Sequence, residues 1–159
     1  MWSTAHASGV FSAAAKTTLK YLNMGYVTAP VYSAYVGLRS FINESCTTLA
    51  RYAFYGCTSL YTVSLPNCAT VASQAFQGCT ALPSITLPAA TKISNSAFLN
   101  CTNFSYLKVG TSNCALGTNA LSSTGITATT GSIMVPADYV DTYKAAANWS
   151  AFADRIFGY

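Results

Sequence analysis

The segment Ala53-Phe54-Tyr55-Gly56-Cys57-Thr58-Ser59-Leu60 recurs with a 22-residue period. It returns first as Ala75-Phe76-Gln77-Gly78-Cys79-Thr80-Ala81-Leu82 and then as Ala97-Phe98-Leu99-Asn100-Cys101-Thr102-Asn103-Phe104. A short β-prone run follows each block: Tyr61 to Leu65, Pro83 to Leu87, Ser105 to Val109. Pro66, Pro88 and Gly110 close these runs. A worn copy precedes them, in which Leu38, Phe41, Cys46 and Leu49 stand one period before Leu60, Val63, Cys68 and Val71. Val31-Tyr32 there takes the place of Ala53-Phe54, and Asn119-Ala120-Leu121 reads as a last worn copy. One coil of this length cannot bury its apolar side chains alone. Coils must stack and share a column of core, which makes the middle of the chain a solenoid.

The recurring apolar positions are the ones that face inward. In one coil they are Ala53, Phe54, Leu60, Val63, Leu65 and Val71, and in the next Ala75, Phe76, Leu82, Ile85, Leu87 and Ile93. Ala97, Phe98, Phe104, Leu107 and Val109 continue the columns. The spacing of Leu60, Val63 and Leu65 ends in the alternation of a strand. Neighbouring coils would pair these strands in parallel, about 4.8 Å apart. The position held by Gly56, Gly78 and Asn100 suits a tight turn with positive φ, which Gly and Asn tolerate.

The pattern A-F-x-G-C-x-x-L, then a strand, then L-P, resembles the leucine-rich repeats of the BspA type over residues 31–118. Ile133-Met134-Val135-Pro136, with Asp138 to Lys144 and Trp149, is similar to the end of such arrays. The resemblance implies surface proteins of bacteria and some protozoa, or proteins of phages that infect gut bacteria, serving adhesion or host contact. The fold class expected is α/β. It is a short leucine-rich-repeat solenoid of about four 22-residue coils with parallel strands and helical caps at both ends.

A solenoid exposes core at its two ends and must be capped. Residues 1–30 form the expected N-terminal cap, with a helix over Ser12 to Leu22 ended by Gly25. The repeats occupy 31–118. Residues 119–159 hold the worn last repeat and a strand-helix cap. Ile133 to Val135 is its final strand, and residues 137–147 are a helix started by Pro136, with Asp138 and Asp141 at its positive end. Tyr139, Val140, Tyr143 and Ala147 share one face of that helix. A second short helix, Ser150 to Ile156, tucks Trp149, Phe152 and Ile156 onto the last coil. The stretch 111–131 is the loosest part.

Composition narrows the function. Charged residues make up only 8% of the chain, against 52% apolar, where ordinary domains carry about a quarter charged. The surface is therefore built from Ser, Thr, Asn and Tyr, which suits a component of an assembly or a chain that works outside the cell. The net charge of +4 is scattered without a run, so no concentrated footprint for nucleic acid exists. No stretch approaches the roughly 18 to 20 apolar residues of a membrane span. The N-terminus carries no recognisable signal peptide.

Cys57, Cys79 and Cys101 recur at the repeat period and stack in one column, and Cys46 and Cys68 form another, broken by Ala90. They read as small buried hydrophobes. Disulfide reach is geometrically available between neighbouring coils, but a column of three cannot pair fully within itself. A line of thiols also differs from the convergent tetrahedron of a zinc site. The single histidine, His6, lies in the N-terminal cap. Asp138 and Asp141 read as helix-start charges, and no catalytic residues, cofactor or metal are expected. The chain is read as a non-enzyme.

Recognition is left to the outward strand positions Ser40 and Ile42, Thr62 and Ser64, Ser84 and Thr86, and Tyr106 and Lys108, flanked by Arg39, Tyr61, Pro83 and Ser105. Tyr61 and Tyr106 are the aromatic anchors. The expected partner is a protein or glycan, on a host or a neighbouring subunit, met at a bacterial surface or on a virion. A structural or decoration subunit that packs against itself or its neighbours is the alternative.

Overall fold

The computed structural model describes residues 33–127 and 131–159, together with the strand backbone of Tyr21–Asn23 and Thr28–Ala29. In chain order the strands are β1 (Tyr21–Asn23), β2 (Thr28–Ala29), β3 (Ser40–Ile42), β4 (Thr48–Leu49), β5 (Thr62–Ser64) and β6 (Thr70–Val71). They continue as β7 (Ser84–Leu87), β8 (Lys92–Ile93), β9 (Tyr106–Val109), β10 (Ala115–Leu116), β11 (Ser132–Val135) and β12 (Ile156–Gly158). The one α-helix among the described residues is α1 (Val140–Ala145), preceded by a 3-10 turn at Ala137–Tyr139 and followed by another at Ser150–Arg155.

Each coil has three sides. The A side carries two parallel ladders, β1-β3-β5 and β7-β9-β11-β12, and the B side one continuous ladder, β2-β4-β6-β8-β10. The repeat period sets the register: Phe41 lies opposite Val63, Leu49 opposite Val71, and Ile85 opposite Leu107. The third side is built of turns, yet its backbone also bonds from coil to coil. The amide of Phe54 donates to the Ala75 carbonyl, Phe76 to Ala97, and Phe98 to Ala120. Alternate backbone groups on the same turns are joined likewise, Gly56 to Gln77 and Gly78 to Leu99.

Those turns need left-handed backbone, as expected for the Gly56, Gly78 and Asn100 column: φ is +69°, +75° and +60°. A second left-handed column is occupied by Tyr52, Gln74, Ser96 and Asn119, with φ between +56° and +60°. It contains no glycine, so nothing along the chain marks it.

The core is a stack of like on like. Phe54, Phe76 and Phe98 are fully buried, with neighbouring ring centroids 5.3 and 5.1 Å apart and nearly parallel. Phe104 extends the stack at 4.6 Å. The expected inward positions are buried with one exception, Val63, which is only partly covered.

The ends differ from expectation. Residues 1–20, with most of the proposed N-terminal helix, lie outside those described, but Tyr21 and Leu22 belong to β1 rather than to a helix. β1 pairs in parallel with β3, Tyr21 against Ser40 and Leu22 against Phe41. That offset is shorter than the repeat period, which is why a search at fixed period passes over it. Residues 111–127 are not a loose segment: β10 closes the B ladder, and Ala120 and Leu121 are buried. Nor is Ile133 to Val135 the final strand, since Ile156 pairs with Ile133 and Phe157 with Met134. The expected helix at Ser150 to Ile156 is a 3-10 turn that gives way to β12. The helix expected over 137–147 is shorter. Its Tyr143 is buried, while Tyr139 and Ala147 are exposed.

Candidate functional site

The outward side chains of the A ladders form two stripes. One runs Ser40, Thr62, Ser84, Tyr106 and Ser132, and the other Ile42, Ser64, Thr86, Lys108, Met134 and Phe157. Every residue selected from the sequence therefore lies on this face or, for Arg39 and Tyr61, at its flank. Tyr61 is the most prominent, 62% exposed. Tyr106 is exposed at 36%. Lys108 is not an open cation: its Nζ sits 3.4 Å above the Tyr159 ring centroid. This contact joins β9 to the residue after β12, and sequence reasoning missed it because Tyr159 was not placed on the face at all. Phe157 and Tyr159 are each half exposed, so they and Met134 extend the candidate face toward the C-terminal end.

The A side is interrupted once among the described residues, between β5 and β7. In the neighbouring coils the residue before the strand offers its carbonyl to two amides: Arg39 accepts from Tyr61 and Thr62, and Pro83 accepts from Ser105 and Tyr106. The same role falls to the carbonyl of Tyr61, whose partner position is Pro83. Proline has no N–H to donate. The ladder stops there, and the two strands stand side by side without pairing. A groove of about 430 Å³ opens along the break, lined by Tyr61, Thr62, Ser64, Pro83, Ser84 and Thr86 among others. Val63 forms part of its floor, which explains the incomplete burial of that one core position. Five of the residues chosen from sequence are thus gathered in one recess, whereas Arg39, Ser40, Ile42, Tyr106 and Lys108 are not among its walls.

The cysteines serve the core. All six are buried and none is in a disulfide. The thiols of Cys79 and Cys101 donate to the carbonyls of Phe54 and Phe76 one coil back, at 3.1 and 2.9 Å. Burial pushes the Cys57 and Cys114 thiols up from the ordinary 9.0 to about 12. The Cys46 thiol beside it, and then burial, raise Cys68; burial, and then the Cys101 thiol, raise Cys79. Thiols held neutral in this way are poor nucleophiles. Among the described residues no three of His, Cys, Asp or Glu gather so as to hold a metal ion. Asp138 and Asp141 sit in the first turns of the 3-10 turn and of α1.

A family profile for the BspA type leucine-rich repeat region, in 6 copies, matches residues 32–138. The chain belongs to this family of leucine-rich-repeat proteins. Its members are commonly protein-binding modules associated with surfaces, and their fold is generally a non-enzymatic one. A solved leucine-rich repeat protein from Bacteroides ovatus is similar in fold, with a TM-score of 0.68 at 23% identity. The match covers 80% of this chain and 34% of that one, so the chain spans about a third of that protein's length. No curated protein matches the chain in sequence. No helix among the described residues is long and apolar enough to cross a membrane.

Proposed function

We propose that this BspA-type chain is a non-enzymatic recognition module, presenting the A face of its solenoid to a protein or glycan partner at a bacterial surface or on a phage particle. The observation that carries the reading is the groove at the β5–β7 break. It gathers an exposed tyrosine and four hydroxyl side chains, on strands held rigid by parallel ladders on either flank. A rigid scaffold lowers the ordering cost of binding. The test compares two charge-bearing variants for binding to intact bacteria and to immobilised host extracellular matrix. Thr62→Arg with Thr86→Arg loads the A face, and Thr48→Arg with Thr70→Arg loads the B side. Loss with the first and retention with the second supports the reading; equal binding by both refutes it.

A second reading, an assembly subunit, draws support from the exposed aromatics on the C-terminal strands of the same face. Tyr106, Phe157 and Tyr159 are each exposed there, on a chain with little charge to keep copies apart. Light scattering over a concentration series checks it. Self-association that is lost in Phe157→Ser with Tyr159→Ser favours assembly, and a monomer at all concentrations removes it.

A further inference from the structure

We infer that the β5–β7 groove takes a neutral saccharide, with one face of a pyranose ring lying on the ring of Tyr61. The inference rests on the recognition reading above and names its ligand class. Three features of the groove point there.

The first is unspent hydroxyls. Three threonine hydroxyls elsewhere on the solenoid are spent on the coil before: Thr80 donates to Thr58, Thr91 to Ala69, and Thr111 to Ala90. The hydroxyls of Thr62, Ser64, Ser84 and Thr86 make no hydrogen bond to any described residue. Each offers one donor and two acceptor sites to a ligand. The Tyr61 carbonyl, which Pro83 has no N–H to serve, adds an acceptor. A polyol, whose hydroxyls both donate and accept, satisfies such a set.

The second is the apolar platform. Tyr61 stands 62% exposed at the groove, and the partly buried Val63 is among its lining residues. A sugar ring presents C–H faces that bury against an aromatic ring while its rim stays hydrogen-bonded. Tyrosine supplies this kind of contact at low entropic cost.

The third is charge. Among the described residues, no Lys, Arg, Asp or Glu lines the groove. A charged ligand would give up hydration without gaining a counter-charge. An added peptide strand is disfavoured too, because β5 and β7 remain side by side and leave no open edge to extend.

The experiment titrates the full chain with the methyl glycosides of glucose, galactose, mannose and N-acetylglucosamine, with glucuronate as the charged control, and follows backbone amides by NMR. At least one neutral glycoside shifts amides confined to residues 61–65 and 84–87, with a Kd of about millimolar for so small a ligand. Tyr61→Ala weakens that binding about tenfold without altering the fold's amide spectrum. Thr62→Val with Ser84→Ala, which removes hydroxyls and keeps volume, weakens it also. Silence with every neutral glycoside, equal response to glucuronate, or indifference to Tyr61→Ala overturns the inference. So does an uncharged proline-rich peptide that shifts these amides when no glycoside does. The cell-binding comparison with the A-face arginines separates the two levels. Cell binding that depends on the A face while glycosides stay silent sinks the saccharide alone, whereas cell binding indifferent to the A face sinks the recognition reading.

Discussion

Trp149 closes the C-terminal end of the B side, and its replacement measures how a solenoid is stoppered. β10 is the last strand of the B ladder, so carbonyls around it have no further coil to bond. Side chains substitute. The indole Nε1–H of Trp149 donates to the Cys114 carbonyl at 2.6 Å, the Tyr143 hydroxyl to the Thr111 carbonyl at 2.9 Å, and Asn148 Nδ2 to the Leu116 carbonyl at 2.7 Å. The Trp149 and Tyr143 rings meet edge to face at 5.2 Å, and Trp149 is fully buried. Trp149→Phe keeps most of the packing but leaves the Cys114 carbonyl without its donor, at a cost of about 1–3 kcal/mol. Trp149→Ala adds a cavity and costs about 3–5 kcal/mol. Contacts in a solenoid are made chiefly between neighbouring coils, so the loss should fall unevenly. Urea denaturation followed by circular dichroism gives the totals, and amide hydrogen exchange gives the distribution. Protection of β10 and β8 should fall well before that of β4. Equal costs for the two variants, or protection lost uniformly along the array, would refute the view of this residue as a local stopper.

The remaining predictions concern the turns, the thiols and one polar core residue. Gly78→Ala forces a Cβ onto φ +75°, where it would only touch the Gly56 backbone at ordinary van der Waals distance, so that the strain is in the backbone conformation; stability should drop by about 1 kcal/mol. Ser96→Gly relieves φ +56° in the second left-handed column and should be neutral or stabilising by up to about 1 kcal/mol; thermal melts decide both, and a clear loss with Ser96→Gly would contradict the strain assignment. Because Cys57 and Cys114 stay protonated to about 12 in the fold and ionise from 9.0 when unfolded, the unfolded state binds fewer protons across that window. Stability is therefore unaffected by these thiols below pH 9 and should fall as pH rises toward 12, by about 1.4 kcal/mol per pH unit for each thiol. Ellman's reagent at pH 8 should find the six thiols unreactive until the chain unfolds, and rapid native labelling would count against their burial. Asn43 occupies, in its coil, the place of Leu65 and Leu87; it is fully buried, with Nδ2 unsatisfied while Oδ1 accepts from Ser45. Asn43→Leu should stabilise by about 1 kcal/mol by removing the orphaned donor, a gain read from the urea midpoint and refuted by a loss.

Where the repeats kept strictly to their period, the fold was legible. Phe54, Phe76 and Phe98 had to occupy equivalent places, and identical residues at equivalent places stack. The Gly56 column announced its left-handed turn because glycine is the residue that turn prefers. The column through Tyr52, Gln74 and Ser96 takes the same conformation unannounced, since the ladder of coil-to-coil hydrogen bonds holds the backbone there against local preference. β1 and β12 were hidden for another reason. Their offsets from neighbouring strands break the period, Tyr21 meeting Ser40 and Ile133 meeting Ile156. A parallel ladder tolerates loops of unequal length so long as the strand ends meet. The C-terminal residues 156–158 read as the tail of a helix when taken alone, but an unpaired edge on β11 makes a strand there the better bonded state.

The recess followed the same division. Sequence alone determined that Thr62, Ser64, Ser84 and Thr86 would face outward, with Tyr61 flanking them, because alternation along a strand is a local property of the backbone. It also contained Pro83, at a position where the other coils carry Arg39, Tyr61 and Ser105. Only the tertiary structure decided that this proline falls between two strands that would otherwise pair. It breaks one ladder into two, bares Val63, and turns a flat hydroxyl-rich face into a groove. A missing N–H has no consequence until another coil brings up the carbonyl it would have served, and that meeting is made across coils rather than along the chain.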